Sequence, residues 1–322
     1  GQGPITSLPM ELADELDVRL EDVDILMGDT DLCPWDEGTY GSLSTRIFGE
    51  VLRKAAAKAR AILLDMAAGE LSLEVENLEV RDGVVRSVDD PGKKISYAEL
   101  TKGKEIIETE IGDVPVKKPS EFRIMGKSRL RVDSAEKVQG KAKYAGDIQL
   151  PGMLSARILR PPSLGAKLTS ADTTAAAGME GVKVVKDGDL VAVLHKSQHM
   201  AAKALGTIKA EWEEESLDLD HDSLFDHILK VATESRVLAS EGELSVGKEA
   251  SVKHIESTFE DPYIAHTPID NHPPPAVREE GRMKVWASCQ TQYHTKEDIA
   301  DDLGMDQKNV ELLPICVGGG FG

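Results

Sequence analysis

Cysteine is scarce in this sequence, and long apolar runs are absent. Cys33, Cys289 and Cys316 lie far apart without a CxxC pair, which gives little support to a disulfide framework or a structural zinc site. An iron–sulfur cluster of the usual kind needs about four thiolates, so this chain alone is not expected to hold one. No apolar run approaches the roughly 18 residues of a membrane helix, and we therefore expect no transmembrane segment.

Positive charge is in the minority. The 322 residues include 57 Asp and Glu against 38 Lys and Arg, which gives a net charge of -19. Such an excess of negative charge repels a phosphate backbone, so we expect no nucleic-acid partner. The remaining composition, 40% hydrophobic and 30% charged, is typical of two or three globular domains.

Apolar periodicity predicts an α+β fold. Helices are expected at residues 10–16, 46–68, 170–177, 198–213 and 296–303. Strands are expected at residues 23–27, 154–159, 182–185, 190–194, 252–260, 284–288 and 310–317, with a hairpin over residues 71–85. A domain boundary is placed near Pro119, where the composition is that of a connecting segment.

Two glycine-rich segments are candidates for ligand binding. A strand runs into residues 318–322, where glycines let backbone N–H groups approach a ligand, although a tight turn explains this run equally well. Residues 38–45 place hydroxyls and glycines before a helix, where a phosphate would be favoured. Helix capping by Ser42 or Ser44 is the alternative, which the local sequence favours. A phosphate- or nucleotide-binding enzyme is disfavoured because no Lys or Arg accompanies the loop.

No metal site is predicted from histidine spacing. His195 and His199 are four residues apart, but no third ligand follows at a suitable distance. His266 and His272 flank a proline-rich segment whose composition turn formation explains. Spacing alone assembles neither a Ser-His-Asp nor a Cys-His set.

Three segments occur together in this chain. They are GQG at residues 1–3 with GDTDLCPWDEGTYGSLST at 28–45, GKAKYAGDIQLPGMLSARILRPP at 140–162, and WASCQTQYHTKEDIADDLG at 286–304 followed by VGGGFG. Together they resemble the molybdenum-cofactor subunit of the xanthine oxidase family, the molybdenum hydroxylases. Their order, with the GQG and GT-x-GS segments first, is similar to the isoquinoline 1-oxidoreductase beta-subunit group and its aldehyde-oxidising relatives.

The resemblance implies an architecture and an activity. Molybdopterin-binding segments at residues 1–119 and 216–322 would flank an α/β hammerhead domain at residues 120–215. The activity implied is hydroxylation of N-heteroaromatic or aldehyde substrates with water-derived oxygen. The cofactor implied is molybdopterin with molybdenum, in the cytosine dinucleotide form. An iron–sulfur small subunit would carry 2Fe-2S clusters.

The resemblance also implies roles for individual residues. Gln290 corresponds to the glutamine that hydrogen-bonds an oxygen ligand of molybdenum, and Phe321 to the loop beside the metal. Cofactor-binding positions carried over in the same way are Gln2, Gly3, Thr39, Gly41, Ser42, Ser44, Gly319, Gly320 and Gly322. Two residues depart from the family pattern. Cys289 stands at a usual Thr, and Asp270 stands where Glu is more frequent, which leaves its role open.

The family's catalytic glutamate lies in a C-terminal region that this sequence does not contain. We therefore expect a fragment, or one half of a split subunit, that is inactive without the polypeptide carrying that glutamate. The alternative is a non-catalytic cofactor-binding scaffold or assembly fragment. Members of the group often carry twin-arginine export signals, which favours a bacterial periplasm over the cytoplasm.

Overall fold

The computed structural model describes residues 3–107, 112, 114–214 and 219–321. The predicted site residues Gln2 and Gly322 lie outside these ranges. Within them the chain mixes helices with small sheets, so the predicted α+β class is confirmed.

The regular elements are numbered in chain order. The helices are α1 (Pro4–Leu16), α2 (Gly49–Leu71), α3 (Tyr97–Thr101), α4 (Ser134–Val138), α5 (Thr174–Ala177), α6 (Gln198–Leu205), α7 (Leu224–Val231), α8 (Leu244–Ala250) and α9 (Gln292–Asp302). The strands are β1 (Leu78–Arg81), β2 (Val84–Ser87), β3 (Lys94–Ser96), β4 (Ser155–Ile158), β5 (Lys167–Asp172), β6 (Lys183–Asp187), β7 (Leu190–His195), β8 (Lys209–Glu213), β9 (Ala276–Glu279), β10 (Arg282–Val285) and β11 (Val310–Leu312).

The chain divides into two compact units. The first comprises residues 1–148 and 267–322, and the second comprises residues 149–266. Residues 120–148 fall in the first unit because they bind α1: the amides of Arg123, Ile124 and Met125 donate to the buried Asp14 carboxylate at 2.9, 3.1 and 2.6 Å. The assignment of residues 120–215 to a hammerhead domain stays a prediction.

Two three-stranded sheets form the first unit. One is an antiparallel meander, β1-β2-β3, which packs on α2 and α3 through a core of Ala67, Val85 and Leu100. The hairpin within it confirms the predicted one. In the other sheet, β10 is antiparallel to β9 and parallel to β11. Helix α9 connects β10 to β11, as a crossover between parallel strands requires. The segment between β10 and α9 therefore leaves the carboxyl end of a parallel strand, a common position for ligand sites.

The second unit contains a β4-β7-β6 antiparallel sheet and a β5-β8 pair. Its core is formed by Ala176, Val193 and Ala204, which belong to α5, β7 and α6. These small side chains allow the two short helices to pack closely on the sheet.

Four predicted elements are wrong, wholly or in part, and the strands predicted at residues 284–288 and 310–317 are shorter, ending at Val285 and Leu312. Residues 23–27 and 252–260 are irregular, because an alternating pattern forms a strand only where a partner strand is available. Residues 170–177 end β5 and then form α5, and residues 198–213 form α6 and β8. The β5-β8 pairing overrides the helical pattern in both segments.

Candidate functional site

The loop at residues 28–43 is fastened to the C-terminal sheet of the same unit. The amide of Thr30 donates to the Leu312 carbonyl at 3.1 Å, and the Leu312 amide donates to the Thr30 hydroxyl at 2.9 Å. The Tyr293 hydroxyl donates to the carbonyl of Cys33. These hydrogen bonds hold the loop against β11 and the start of α9.

Thr39 and Gln290 meet at the end of this loop. The Thr39 amide donates to the Gln290 carbonyl at 2.8 Å, and the Gln290 side-chain amide donates to the Thr39 carbonyl at 2.5 Å. Gly38 precedes them with φ +105°, and a Cβ there would overlap the Gln290 carbonyl oxygen. Only glycine satisfies both constraints, so the close approach depends on Gly38.

The glycine run packs on the same glutamine. A Cβ at Gly320 would overlap the side-chain oxygen of Gln290. The two glycine-rich segments therefore meet in the described part of the chain, with Gln290 between Thr39 and Gly320. The side-chain amide of glutamine has a pair of N–H donors, and the hydrogen bond to the Thr39 carbonyl uses one of them.

Asp270 anchors the glycine run, which the sequence did not indicate. Its carboxylate accepts hydrogen bonds from the Ser288 hydroxyl at 2.6 Å and from the amides of His272 and Gly318 at 3.1 and 3.3 Å. Burial acts to raise the pKa of Asp270, but these hydrogen bonds outweigh it and hold the pKa below its ordinary value. A stably ionised carboxylate suits a structural anchor.

The glycine run also offers free hydrogen-bond donors. Gly319 and Gly320 are half-buried, and within the part of the chain that the structure describes their backbone amides have no hydrogen-bond partner. Unpaired donors on a glycine backbone suit the oxygen atoms of an anionic or oxo ligand. Phe321 follows with 62% of its surface exposed, and a Cβ at Gly319 would lie 3.2 Å from its ring. Backbone donors thus lie close to an aromatic ring.

Hydroxyl groups gather where the helical segment before α2 begins. A single π-helical turn, Ser44–Phe48, leads directly into α2. The Ser44 hydroxyl donates to that of Thr39 at 2.8 Å. Gly41 and Ser42 adopt left-handed backbone conformations at φ +56° and +57°. Neither serine caps the turn, because Leu43 is the capping position and no side chain bonds there. The capping interpretation is therefore wrong, and the hydroxyls of Ser44 and Thr39 face one another.

Gly3 lies at the start of α1, beside an arginine that sequence reasoning missed. Its carbonyl accepts from the amides of Thr6 and Ser7, and a Cβ on Gly3 would lie 3.4 Å from the Arg131 guanidinium carbon. The Ser7 hydroxyl lies 2.8 Å from that of Thr45, which places the starts of α1 and α2 side by side. No spacing pattern could have linked Arg131 to Gly3, since 128 positions separate them in the sequence.

Comparison with known families identifies two segments of this chain. Residues 1–143 match a family profile described as a molybdopterin cofactor-binding domain, and residues 230–322 match a second profile of the same description. The chain is 30% identical over 332 residues to one of the subunits of nicotinate dehydrogenase from Pseudomonas putida. This chain belongs to the xanthine oxidase family. Its two molybdopterin-binding segments carry Thr39 and Gln290, which the fold brings into contact.

The curated relatives are longer than this chain, which spans only part of their length. The alignment with the Pseudomonas putida protein covers 100% of this chain and 28% of that protein. The beta subunit of isoquinoline 1-oxidoreductase from Brevundimonas diminuta is 26% identical, over 100% of this chain and 48% of that protein. The crystal structure of quinoline 2-oxidoreductase from Pseudomonas putida 86 superposes with a TM-score of 0.49 and 21% identity, over 61% of this chain and 31% of that one.

Proposed function

We propose that this chain forms part of the molybdenum-cofactor subunit of an oxidoreductase that hydroxylates N-heteroaromatic or aldehyde substrates. The relatives named for nicotinate and isoquinoline favour an N-heteroaromatic ring. A relative named as a membrane-bound aldehyde dehydrogenase is 27% identical over 100% of this chain and supports aldehydes as the second candidate substrate class.

The contact of Gln290 with both Thr39 and Gly320 is the observation that carries this proposal. Molybdopterin with molybdenum would supply oxygen-atom transfer from water and accept the electrons. The second N–H of Gln290 and the free amides of Gly319 and Gly320 would bind oxygen atoms of that group. Phe321 would lie against the planar substrate and keep water from its face.

The phosphate-bearing part of the cofactor fits the starts of α1 and α2. Ser42 and Ser44 offer hydroxyls, and the first helical amides offer N–H donors with the positive end of the helix dipole. Gly3 lets the Arg131 guanidinium approach closely. We assign Gln2, Gly3, Thr39, Gly41, Ser42, Ser44, Gly319, Gly320 and Gly322 to cofactor binding. A cytosine dinucleotide extension would add a further phosphate to this region.

Further polypeptide is expected to cover part of the chain. Trp35, Ile47 and Phe48 of the first unit are among its exposed apolar side chains. We propose that the covering polypeptides are the rest of the molybdenum subunit, with its catalytic glutamate, and an iron–sulfur small subunit with 2Fe-2S clusters.

The site of action is proposed to be the bacterial periplasm rather than the cytoplasm, following the resemblance to exported members of the group. Among the residues that the structure describes, no helix combines the length and the apolar character that crossing a bilayer requires.

Replacing Gln290 by Ala tests the proposal in the complex purified from cells that express the chain. Losing one preorganised donor lowers turnover per bound molybdenum by about 10² to 10³. Gln307→Ala is the matched control, because Gln307 is exposed in the turn before β11. Rates and metal content are measured on the same samples. An unchanged rate per molybdenum in the Gln290 variant contradicts the assignment.

Cofactor binding without turnover is the second candidate function. Asp270, the carboxylate in contact with the glycine run, is engaged in three hydrogen bonds and held ionised, which makes it a poor proton acceptor. A complex that contains molybdenum but oxidises neither substrate class, with every associated polypeptide present, would support this alternative.

A further inference from the structure

Residues 267–272, which we name the anchor segment, are hydrogen-bonded to the glycine run. The Asp270 amide donates to the Gly318 carbonyl at 3.3 Å, and the Gly318 amide donates back to the Asp270 carboxylate at 3.3 Å. His272 Nε2 lies 2.9 Å from the Gly319 carbonyl oxygen. A carbonyl only accepts, so His272 donates and its proton is on Nε2 in this contact. Two side chains thus hold two successive residues of the run, Gly318 and Gly319.

The anchor segment is itself held in an uncommon conformation. Thr267 and His272 have φ of +41° and +47°, a region that costs non-glycine residues on the order of 1 kcal/mol or more each. The Asp270 carboxylate stabilises this turn by accepting from the His272 amide, and it accepts from the Ser288 hydroxyl as well. Ser288 lies two residues before Gln290, so one carboxylate links the anchor segment, the glycine run and the segment of Gln290.

Packing explains why the anchored residues are glycines. A Cβ on Gly318 would overlap the Asp270 side chain, and a Cβ on Gly319 would lie 2.8 Å from the Pro268 Cβ. The anchor segment therefore occupies the space that side chains on the run would need. Consecutive glycines have the largest conformational freedom of any sequence, and the anchor segment removes that freedom.

We propose that Asp270 and His272 are positioning residues for the proposed reaction. They hold residues 318–320 so that the free amides of Gly319 and Gly320 stay fixed beside Gln290. This inference rests on the proposed function for its catalytic consequence, whereas the anchoring stands on the geometry alone. Fixed donors need no reorganisation when charge develops on a ligand, and a mobile glycine run loses that advantage.

Amide hydrogen exchange in the purified complex tests the anchoring directly. Asp270→Asn weakens the acceptor of the Gly318 amide, and His272→Ala frees the Gly319 carbonyl and loosens the run around that amide. Both are expected to speed exchange of the Gly318 amide, read from peptides covering residues 314–321, by about five- to tenfold. His272→Gln retains an N–H donor and restores slow exchange in part. Asp306→Asn is the control, because Asp306 also accepts a backbone amide, that of Lys308 at 3.1 Å, but in the turn before β11. Unchanged exchange in folded His272→Ala overturns the proposal, even if Asp270→Asn fails to fold.

Steady-state kinetics separate positioning from mere stability. In Asp270→Asn and His272→Ala, kcat per bound molybdenum is expected to fall about tenfold while KM stays within about twofold, because preorganised donors act on the transition state. Faster exchange with unchanged kcat per molybdenum overturns the positioning role. If the wild-type complex holds no molybdopterin, the proposed function fails, and the exchange data still decide whether the anchor exists.

Discussion

Glu11 of α1 has a buried carboxyl group whose pKa is shifted from its ordinary value. Its side chain is buried at 8% exposure, and Oε2 has no hydrogen-bond partner among the described residues. A Cβ on Gly49 would overlap the same oxygen, so the carboxyl group lies against the first residue of α2. Burial raises the pKa of Glu11 to about 7, with Arg53 opposing and Glu15 adding to the shift.

Because the folded protein binds this proton more tightly than the unfolded chain, stability contributed by Glu11 falls as pH rises. This stability is lost as the pH rises from 4.5, the ordinary pKa of the group, to about 7, its pKa in the folded protein, and the loss is complete above that pH. Glu11→Gln is therefore expected to stabilise the protein at pH 8 by on the order of 2 kcal/mol and to have a much smaller effect at pH 4.5. Urea unfolding at both values measures this. Equal effects at the two pH values contradict the expectation.

Asp17, the C-cap residue that follows α1, is the second residue for which we predict a large effect. Its buried carboxylate pairs with Lys117 at 2.5 Å, Arg60 at 2.8 Å and Arg123 at 2.9 Å. Asp17→Asn leaves these cations without their partner and should lower the free energy of unfolding by about 3 to 5 kcal/mol. Denaturant titration gives the value. Asp22→Asn, which breaks an exposed pair with Arg19, serves as the control and should change little.

At the scale of elements, the loop at residues 28–43 depends on backbone geometry at Gly38. Gly38→Ala places a left-handed φ on alanine and also drives a Cβ to 2.9 Å from the Thr291 Cα. Gly281→Ala has the same kind of φ, +84°, with open space around it. The Gly281→Ala variant therefore measures only the cost of placing alanine in a left-handed backbone conformation, about 1 kcal/mol.

Gly38→Ala is expected to destabilise the protein by at least about 2 kcal/mol more than Gly281→Ala, because backbone atoms do not move aside as side chains do. Thermal unfolding of the two variants checks this difference. The Gly38 variant should also lose bound molybdenum, while the Gly281 variant retains it. Similar melting temperatures for both would show that the loop adjusts without cost.

For the whole molecule, the division into units predicts where proteases act. Residues 232–243 are irregular and exposed throughout, without packed side chains to resist local opening. The segment just after Pro119 is different, because Arg123 and Met125 donate backbone hydrogen bonds to buried Asp14. Brief trypsin or Glu-C digestion with mass mapping should give first cuts at residues 232–243. Earlier cuts between 117 and 125 would show that the second unit begins nearer Pro119.

Much of the fold was readable from sequence wherever the signal is local. The long alanine-rich α2, the hairpin turning at Asp82 and Gly83, and strands β6 and β7 follow from periodicity and turn residues. Strands at residues 23–27 and 252–260 were wrong, because the pattern does not say whether a partner strand exists. The family was predicted from three motifs that occur together, and their order narrowed the resemblance to one group of that family. The role of Gln290 was carried over from the same motifs and stays a prediction.

Only the tertiary structure decided what surrounds those motifs. Thr39 and Gln290 are 251 positions apart, and Asp270 and Gly318 are 48 apart, so no local pattern could pair them. The roles proposed for Asp270, His272 and Arg131 depend on distances created when the two ends of the first unit fold together. The sequence thus determined where the backbone can approach another group closely, since only glycine allows such an approach. The tertiary structure determined which group is approached, because packing over the whole first unit decides which residues come into contact.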